Sequence, residues 1–275
     1  MPTAMRDEGM SAYVEIGGHP TWVVDGGGSG EPVLLLHGGL SNSDLLLDSI
    51  GPSLAERQHV FAFDRRGHGR TADTVAPFHY SDMATEAVQV IDEMVRGPAH
   101  LVGWSDGGIV ALLVALQRPD VVRKLVVIGT NYHHGGLLPV EPDPASPLMQ
   151  ALGEAYTERS PDGPEHLEVV YAKAIAMLSS EPTLTTSDIA GIRHPTLVVA
   201  GDDDAMPLSH TCSLYEALPK GQLAVVPAAS HALPVEHPEL LGRLTADFLA
   251  GEPPLTLLPV RRAEPHGGDA AGVAE

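Results

Sequence analysis

Residues 99–108, Ala99-His100-Leu101-Val102-Gly103-Trp104-Ser105-Asp106-Gly107-Gly108, decide how the rest of the chain is read. A short apolar run enters Gly-Trp-Ser-Asp-Gly, a Gly-x-Ser-x-Gly pattern. Ile109-Val110-Ala111-Leu112-Leu113-Val114-Ala115-Leu116 leaves it as a helix-permissive apolar run that ends before Pro119. Strand, tight glycine turn and buried helix follow in the order of a nucleophile elbow. The glycines let the backbone reverse so sharply that Ser105 is held up at the top of a sheet. An unassisted serine hydroxyl is a poor nucleophile, so the pattern demands a base for its proton and donors for the oxyanion it creates. A serine in an ordinary strand-to-helix turn demands neither.

Downstream, Pro195-Thr196-Leu197-Val198-Val199-Ala200 is a β-rich run followed by Gly201-Asp202-Asp203-Asp204. A carboxylate just past the C-terminal end of a strand lies on the functional edge of a parallel sheet. All three aspartates qualify on that ground. Leu223-Ala224-Val225-Val226 is another short apolar run, and Ala228-Ala229-Ser230-His231 follows it as a loop before a helix expected over residues 233–249. His231 competes with a plain loop histidine, and its neighbour His237 precedes Pro238 and reads as structural. Upstream, the run at 32–36 enters His37-Gly38-Gly39-Leu40, a turn whose glycines supply backbone freedom. The strand at 59–64 leads into Asp64-Arg65-Arg66-Gly67-His68-Gly69-Arg70.

Taken together, these segments resemble the α/β-hydrolase fold family, over residues 11–130 and 192–250. The resemblance implies an α/β fold with a mostly parallel eight-stranded sheet flanked by helices. A small helical lid is inserted after strand 6, at residues 131–191. It implies a Ser105, Asp204, His231 triad, because the family's acid sits in a strand-Gly-x-x-Asp turn and its base between the last strand and the last helix. Asp202 and Asp203 are then turn and capping residues. The oxyanion hole falls to the backbone N–H groups of Gly39 and Asp106. Asp64 and the following arginines are expected to pair and hold the loop beneath the site. Within the serine-esterase branch, Gly-Trp-Ser-Asp-Gly-Gly-Ile is similar to the elbow of the biphenyl hydrolase-like (valacyclovir hydrolase) group, which cleaves α-amino-acid esters. That likeness makes Asp106 the partner of a substrate ammonium, and Trp104 and His37 are placed beside it as substrate-binding residues. The alternative for Asp106 is a side chain that caps the elbow helix or pairs with a lid group.

The function expected is hydrolysis of a small carboxylic ester through an acyl-enzyme, with no cofactor. Lactone, C–C bond and per-acid chemistry are alternatives on the same triad, because a shared site does not set the substrate. A non-enzymatic ligand receptor on the same scaffold is the rival outside enzymology.

Composition agrees with this reading. The chain has 275 residues, 43% hydrophobic but only 4% aromatic, so its core is built from Leu, Val, Ile and Ala. Sixteen Lys and Arg against 36 Asp and Glu give a net charge of −20, which disfavours nucleic acid and anionic membranes as partners. The partner expected is a small-molecule ester, with the chain a monomer or homodimer. One cysteine, Cys212, allows no intrachain disulfide and fits a reducing cytoplasm. Residues 1–10 read as a loose polar leader without an apolar signal core, and no run approaches a membrane span. Metal ligation is not expected: His133 and His134 are adjacent and should point apart, and no histidine cluster has ligand spacing. Gly26-Gly27-Gly28-Ser29-Gly30 reads as a hairpin turn, since no helix signal follows it. Strands are expected within 11–25, at 32–37, 59–64 and 121–128, and helices within 43–57 and 81–96. In the insertion, 137–147 is a Pro-rich loop, 148–159 and 165–178 are helical, and 185–191 holds a short helix. Residues 251–275 read as a disordered tail in which only 255–260 has the apolar content to dock.

Overall fold

The computed structural model describes residues 10–138, 145–252 and 256–259. Its strands are β1 Ser11–Ile16, β2 His19–Gly28, β3 Glu31–Leu36, β4 Gln58–Phe63, β5 Ala99–Trp104, β6 Val122–Ile128, β7 Thr196–Asp203 and β8 Gly221–Ser230. Its α-helices are α1 Ser43–Ser49, α2 Gly51–Ala55, α3 Tyr80–Val90, α4 Asp106–Gln117, α5 Pro147–Arg159, α6 Leu167–Leu178, α7 Thr186–Ile189, α8 Leu208–Ala217, α9 Leu233–Glu236 and α10 Pro238–Leu249. One eight-stranded sheet runs in the order β1-β2-β4-β3-β5-β6-β7-β8. The β1–β2 and β2–β4 pairs are antiparallel and the other five are parallel, so the sheet is mixed with a parallel majority.

Side-chain alternation along the central strands feeds two cores. Leu34, Leu36, Leu101, Leu125, Val127 and Val198 pack on one face with the residues of α3 and α4. Val33, Leu35, Val102, Trp104, Val126, Ile128, Leu197 and Val199 pack on the other with α1, α2 and α10. Each such side chain, taken fully out of water, contributes about 1.5–3 kcal/mol. Because both faces are covered, the C-terminal halves of β3, β5 and β6 read as apolar runs. Their C-terminal ends then converge on one edge, where the loops after β3, β5 and β6 meet.

Several boundaries differ from expectation for identifiable reasons. The helix expected over 43–57 breaks after Ile50, because Pro52 has no N–H and opens α2 instead of continuing α1. The last helix breaks at His237, whose φ of −134° is what a residue before proline adopts. Helix α3 passes into a π-turn at Ile91–Val95 that the left-handed Arg96 closes. The glycine run is not a hairpin: Gly26 to Gly28 finish β2, which pairs with β1 and β4 but not β3. Glycine is needed there because a Cβ on Gly28 (φ +94°) would lie 2.1 Å from the Gln58 carbonyl oxygen.

The leader, residues 139–144 of the Pro-rich loop and most of the tail lie outside the described residues. Within the tail, Leu257 and Leu258 are fully exposed rather than docked. Among the described residues no helix is long and apolar enough to cross a membrane.

Between β6 and β7 the chain leaves the sheet to form α5, α6 and α7. Ser146 caps α5 by accepting from the Met149 N–H, and Thr185 and Asp188 form a reciprocal capping box on α7. Two buried carboxylates of the core tie this insertion down. Asp44 Oδ2 accepts from Arg159 Nε at 2.8 Å and from Arg70 Nη2 at 2.9 Å. Asp73 Oδ2 accepts from His166 Nε2 at 2.8 Å and from Lys173 Nζ at 2.7 Å.

Burial pushes the Asp73 carboxyl up, but the bonds from Lys173 and His166 outweigh it and hold the pKa below the ordinary carboxylate value. A depressed native pKa stabilises the fold above the unfolded value of about 3.9 and loses that contribution as pH falls through the native value. Asp73→Asn should therefore cost about 2 kcal/mol in urea denaturation at pH 7, and the gap from wild type should close as pH drops below about 4. A gap that stays constant with pH would refute the ion-pair account.

Candidate active site

Ser105 bridges β5 and α4 at φ 54° and ψ −121°, a strained conformation for a residue with a side chain. Close packing enforces it. A Cβ on Gly103 would meet the Gly107 carbonyl oxygen at 2.2 Å, one on Gly107 the Leu36 oxygen at 1.9 Å, and one on Gly108 the Thr130 Oγ1 at 1.9 Å. The Ser105 N–H donates to the Ile128 carbonyl at 2.8 Å and its own carbonyl accepts from the Gly108 N–H at 2.9 Å. The backbone is thus fixed on both sides and the side chain is left to the C-terminal edge of the sheet.

His231 follows directly on the end of β8, which runs through Ser230 instead of stopping near 226. The Ser105 hydroxyl stands 3.0 Å from His231 Nε2, and His231 Nδ1 stands 2.8 Å from Asp204 Oδ1. With a carboxylate at Nδ1, the proton belongs on that nitrogen, and Nε2 is free to accept from serine. The Asp204 side chain is 1% exposed and the His231 side chain 26%. Asp204 is also held by the Gly201 N–H on Oδ2, at 3.4 Å.

Of the three aspartates only Asp204 reaches the histidine. Asp202 and Asp203 are strand residues of β7, not turn or capping residues. Asp202 Oδ1 accepts from the Ala229 N–H, and Asp203 pairs with Ser230. The strand runs longer than its apolar part because β8 continues beside it.

Sequence reading misses several supports of His231. Gly129 (φ +52°) leaves room for the ring, since a Cβ there would lie 3.0 Å from His231 Nδ1 and 3.2 Å from Asp204 Oδ2. A glycine directly after β6 is the one available signal. Glu236 accepts from both the N–H and the hydroxyl of Ser230, at 2.7 and 2.8 Å. His237, structural as expected, meets the Ala228 carbonyl oxygen at 3.3 Å.

The three residues expected to contact substrate, Trp104, His37 and Asp106, are all buried. Trp104 faces the core beneath the sheet edge, 2% exposed, and its Nε1 donates to the His231 carbonyl at 2.9 Å. His37, 1% exposed, accepts from the Arg65 N–H on Nε2 at 3.1 Å and so donates from Nδ1 to the Gly38 carbonyl at 2.7 Å. Burial, then the charge of Arg65 and the nearby His68, holds the His37 pKa well below the ordinary value, so the ring is neutral. Asp106, 3% exposed, accepts from the Tyr80 hydroxyl at 2.7 Å on Oδ1, while Oδ2 lies 2.6 Å from where a Gly39 Cβ would stand. Its carboxylate is packed between Tyr80 and the loop at Gly39. Gly39 and Asp106, the two expected amide donors, are thereby brought together.

Beneath the site, Asp64 accepts from the N–H groups of Ser43 and Arg70, at 2.7 and 2.8 Å, and pairs with the Arg70 guanidinium. Arg65 does not join that pair. Burial, then Arg65, pushes His68 down to about 3, so it too stays neutral. His133 and His134 do not point apart: the change from extended to 3-10 backbone between them stacks their rings at 4.4 Å. Among the described residues no group of three or more His, Cys, Asp or Glu could hold a metal ion.

The fold and this edge define a hydrolase. The chain belongs to the alpha/beta hydrolase family, whose profile matches residues 33–244. It is 30% identical over 256 residues to the "Putative carbamate hydrolase RutD" of Variovorax paradoxus, covering 82% of this chain and 94% of the relative. It is 29% identical over 259 residues to the 2-hydroxy-6-oxo-6-phenylhexa-2,4-dienoate hydrolase of Burkholderia cepacia, covering 81% and 89%. Its fold is similar to that of CarC, a serine hydrolase involved in carbazole degradation (TM-score 0.73, 24% identity, 88% of this chain and 99% of that one).

Asp204→Asn should favour the wrong imidazole tautomer and slow reaction of Ser105 with a fluorophosphonate probe by about 10⁴. Asp202→Asn should change it by less than about tenfold, since that side chain holds only the backbone amide of Ala229 in β8. Labelling rates for the two variants check this, and a reversed ranking would overturn the assignment of the acid.

Proposed function

We propose that this protein is a serine hydrolase that cleaves a small carboxylic ester through an acyl-enzyme. The observation that carries the proposal is the continuous chain Ser105 Oγ, His231 Nε2, His231 Nδ1, Asp204 Oδ1, with links of 3.0 and 2.8 Å, set on a strained elbow. His231 takes the Ser105 proton as the oxygen attacks the carbonyl carbon. Asp204 holds the ring and stabilises the imidazolium. The amides of Gly39 and Asp106 receive the oxyanion. As the first residue of α4, Asp106 has an N–H with no acceptor inside its own helix. His231 then gives its proton to the leaving alcohol, and a water activated by His231 hydrolyses the acyl-enzyme. The insertion between β6 and β7 serves as the lid over the site and sets the acyl and alcohol groups accepted.

The name carried by the Variovorax relative supports widening the leaving group to that of a carbamate, since both substrates present a carbonyl bonded to a heteroatom. The Burkholderia relative's name favours a second reading, C–C bond cleavage on the same triad. A panel of short-chain aryl esters, carbamates, lactones and a 2-hydroxy-6-oxo-dienoate separates these. Ester turnover with labelling at Ser105 alone is the result expected, and Ser105→Ala should lower it by several orders of magnitude. Turnover confined to the dienoate would establish the second reading, and no turnover with an unlabelled Ser105 would leave a ligand receptor.

The α-amino-acid ester specialisation is not part of the proposal, because the Asp106 carboxylate is buried and Tyr80 holds its Oδ1. An α-aminoacyl ester and its des-amino analogue should have kcat/KM values within about threefold, well short of the tenfold that 1.36 kcal/mol of selective binding gives. A preference of tenfold or more for the amino ester would return Asp106 to the substrate.

A further inference from the structure

A fully buried arginine lies under the loop after β3, and the triad does not use it. Arg65 is 1% exposed, and its Nη2 donates to the Gly38 carbonyl oxygen at 3.0 Å. The same oxygen accepts from His37 Nδ1 at 2.7 Å and from the Ser41 N–H at 3.4 Å. The Gly38 carbonyl and the Gly39 N–H belong to one peptide unit. In a planar trans peptide those two groups point in opposite directions. Pinning the carbonyl downward therefore aims the Gly39 N–H upward, to the side where Ser105 works. A charged donor on the carbonyl also polarises the peptide and makes its N–H a stronger donor.

The loop has little freedom to choose another orientation. A Cβ on Gly38 would meet the Trp104 ring at 2.8 Å, and one on Gly39 would meet Asp106 Oδ2 at 2.6 Å. Leu40 follows at φ 57°, a left-handed turn without glycine. The Asp106 carboxylate lies close enough to Arg65 to act as its counter-charge, and Tyr80 fixes it. Burial, then the charge of Asp106, keeps the Tyr80 hydroxyl protonated, so it remains a donor.

We propose that Arg65 is a positioning residue for catalysis: its guanidinium aims and polarises the Gly38–Gly39 peptide as an oxyanion donor, and the Tyr80–Asp106 pair keeps that guanidinium in place. The inference rests on the serine-hydrolase reading of Ser105. Arg65 touches no reacting atom. It acts on the transition state through Gly39, so it should move kcat and not substrate affinity.

The test measures kcat per fluorophosphonate-titrated Ser105, KM, and the Ki of an alkyl boronic acid that forms the tetrahedral adduct. Arg65→Gln should lower kcat per titrated site by about 10–100-fold, below the 10²–10³ that loss of a whole oxyanion donor costs. KM should stay within about threefold, and boronate Ki should rise in parallel with the loss in kcat. Arg65→Lys keeps one charged donor and should recover part of the loss. Tyr80→Phe differs by one oxygen and keeps the hydrophobic packing. It frees Asp106 to draw Arg65 off Gly38, and should lower kcat about 3–10-fold with KM unmoved.

A purely structural Arg65 would instead lower Tm and the titratable fraction while kcat per site stayed at the wild-type value, and that result in Arg65→Gln or Tyr80→Phe overturns the inference. A wild-type protein that neither turns over an ester nor labels at Ser105 would instead overturn the serine-hydrolase reading itself. The two failures are therefore distinct.

Discussion

The start of α4 lies against the end of β3 so tightly that a single methyl group on Gly107 would stand 1.9 Å from the Leu36 carbonyl oxygen. Everything at the sheet edge depends on that distance. It lets α4 begin directly against the sheet, holds Ser105 in a left-handed turn, and brings the loops after β3 and β6 to the same point. Strain of order 1–3 kcal/mol at one residue persists only when its surroundings over-determine it. Here three glycines and the Ser105–Ile128 backbone bond do so.

Below the site lies a polar layer in an otherwise apolar core. His37, Arg65, His68, Tyr80 and Asp106 are all nearly free of solvent. Buried groups of this kind destabilise a fold unless they are paired. The pairing is specific but incomplete: Tyr80 donates to Asp106, Arg65 Nη2 and His37 Nδ1 donate to the Gly38 carbonyl, and His68 Nδ1 meets the Arg66 carbonyl, while Arg65 Nε and Nη1 and His68 Nε2 have no hydrogen-bond partner among the described residues. Such a layer is a poor source of stability but a good source of a unique loop conformation, because moving the loop would also break the bonds that Arg65 and His37 make to the Gly38 carbonyl. That suits a place where two amides must be aimed before a substrate arrives.

The β6–β7 insertion is attached differently. It contributes Tyr156, Val170, Met177 and Ile189 to the core on the α3–α4 face, and core carboxylates hold its outer corner. Ties of this kind are local, so the insertion can diverge among relatives without disturbing the sheet.

Local pattern in the sequence was enough for the elbow, the apolar strands, the order of the acid and the base, and the family resemblance, because each depends on neighbours within about ten residues. Proline and glycine punctuation placed most breaks, although Pro52 and Pro238 were read through. Tertiary structure alone decided which way the buried side chains turned. Trp104 and Asp106 flank the nucleophile in sequence, His37 opens the His-Gly-Gly turn, and all three look like substrate contacts. In three dimensions Trp104 is buried in the core, Asp106 lies against Gly39 and His37 is held by Arg65 and the Gly38 carbonyl, so all three are buried. Gly129 and Arg65 act on partners 102 and 27 positions away, so beyond a glycine placed after β6 neither role is written locally. Hydrophobic periodicity is a property of a segment and is written in it. The direction of a hydrogen bond between segments is a property of the packing and exists only once the sheet has formed.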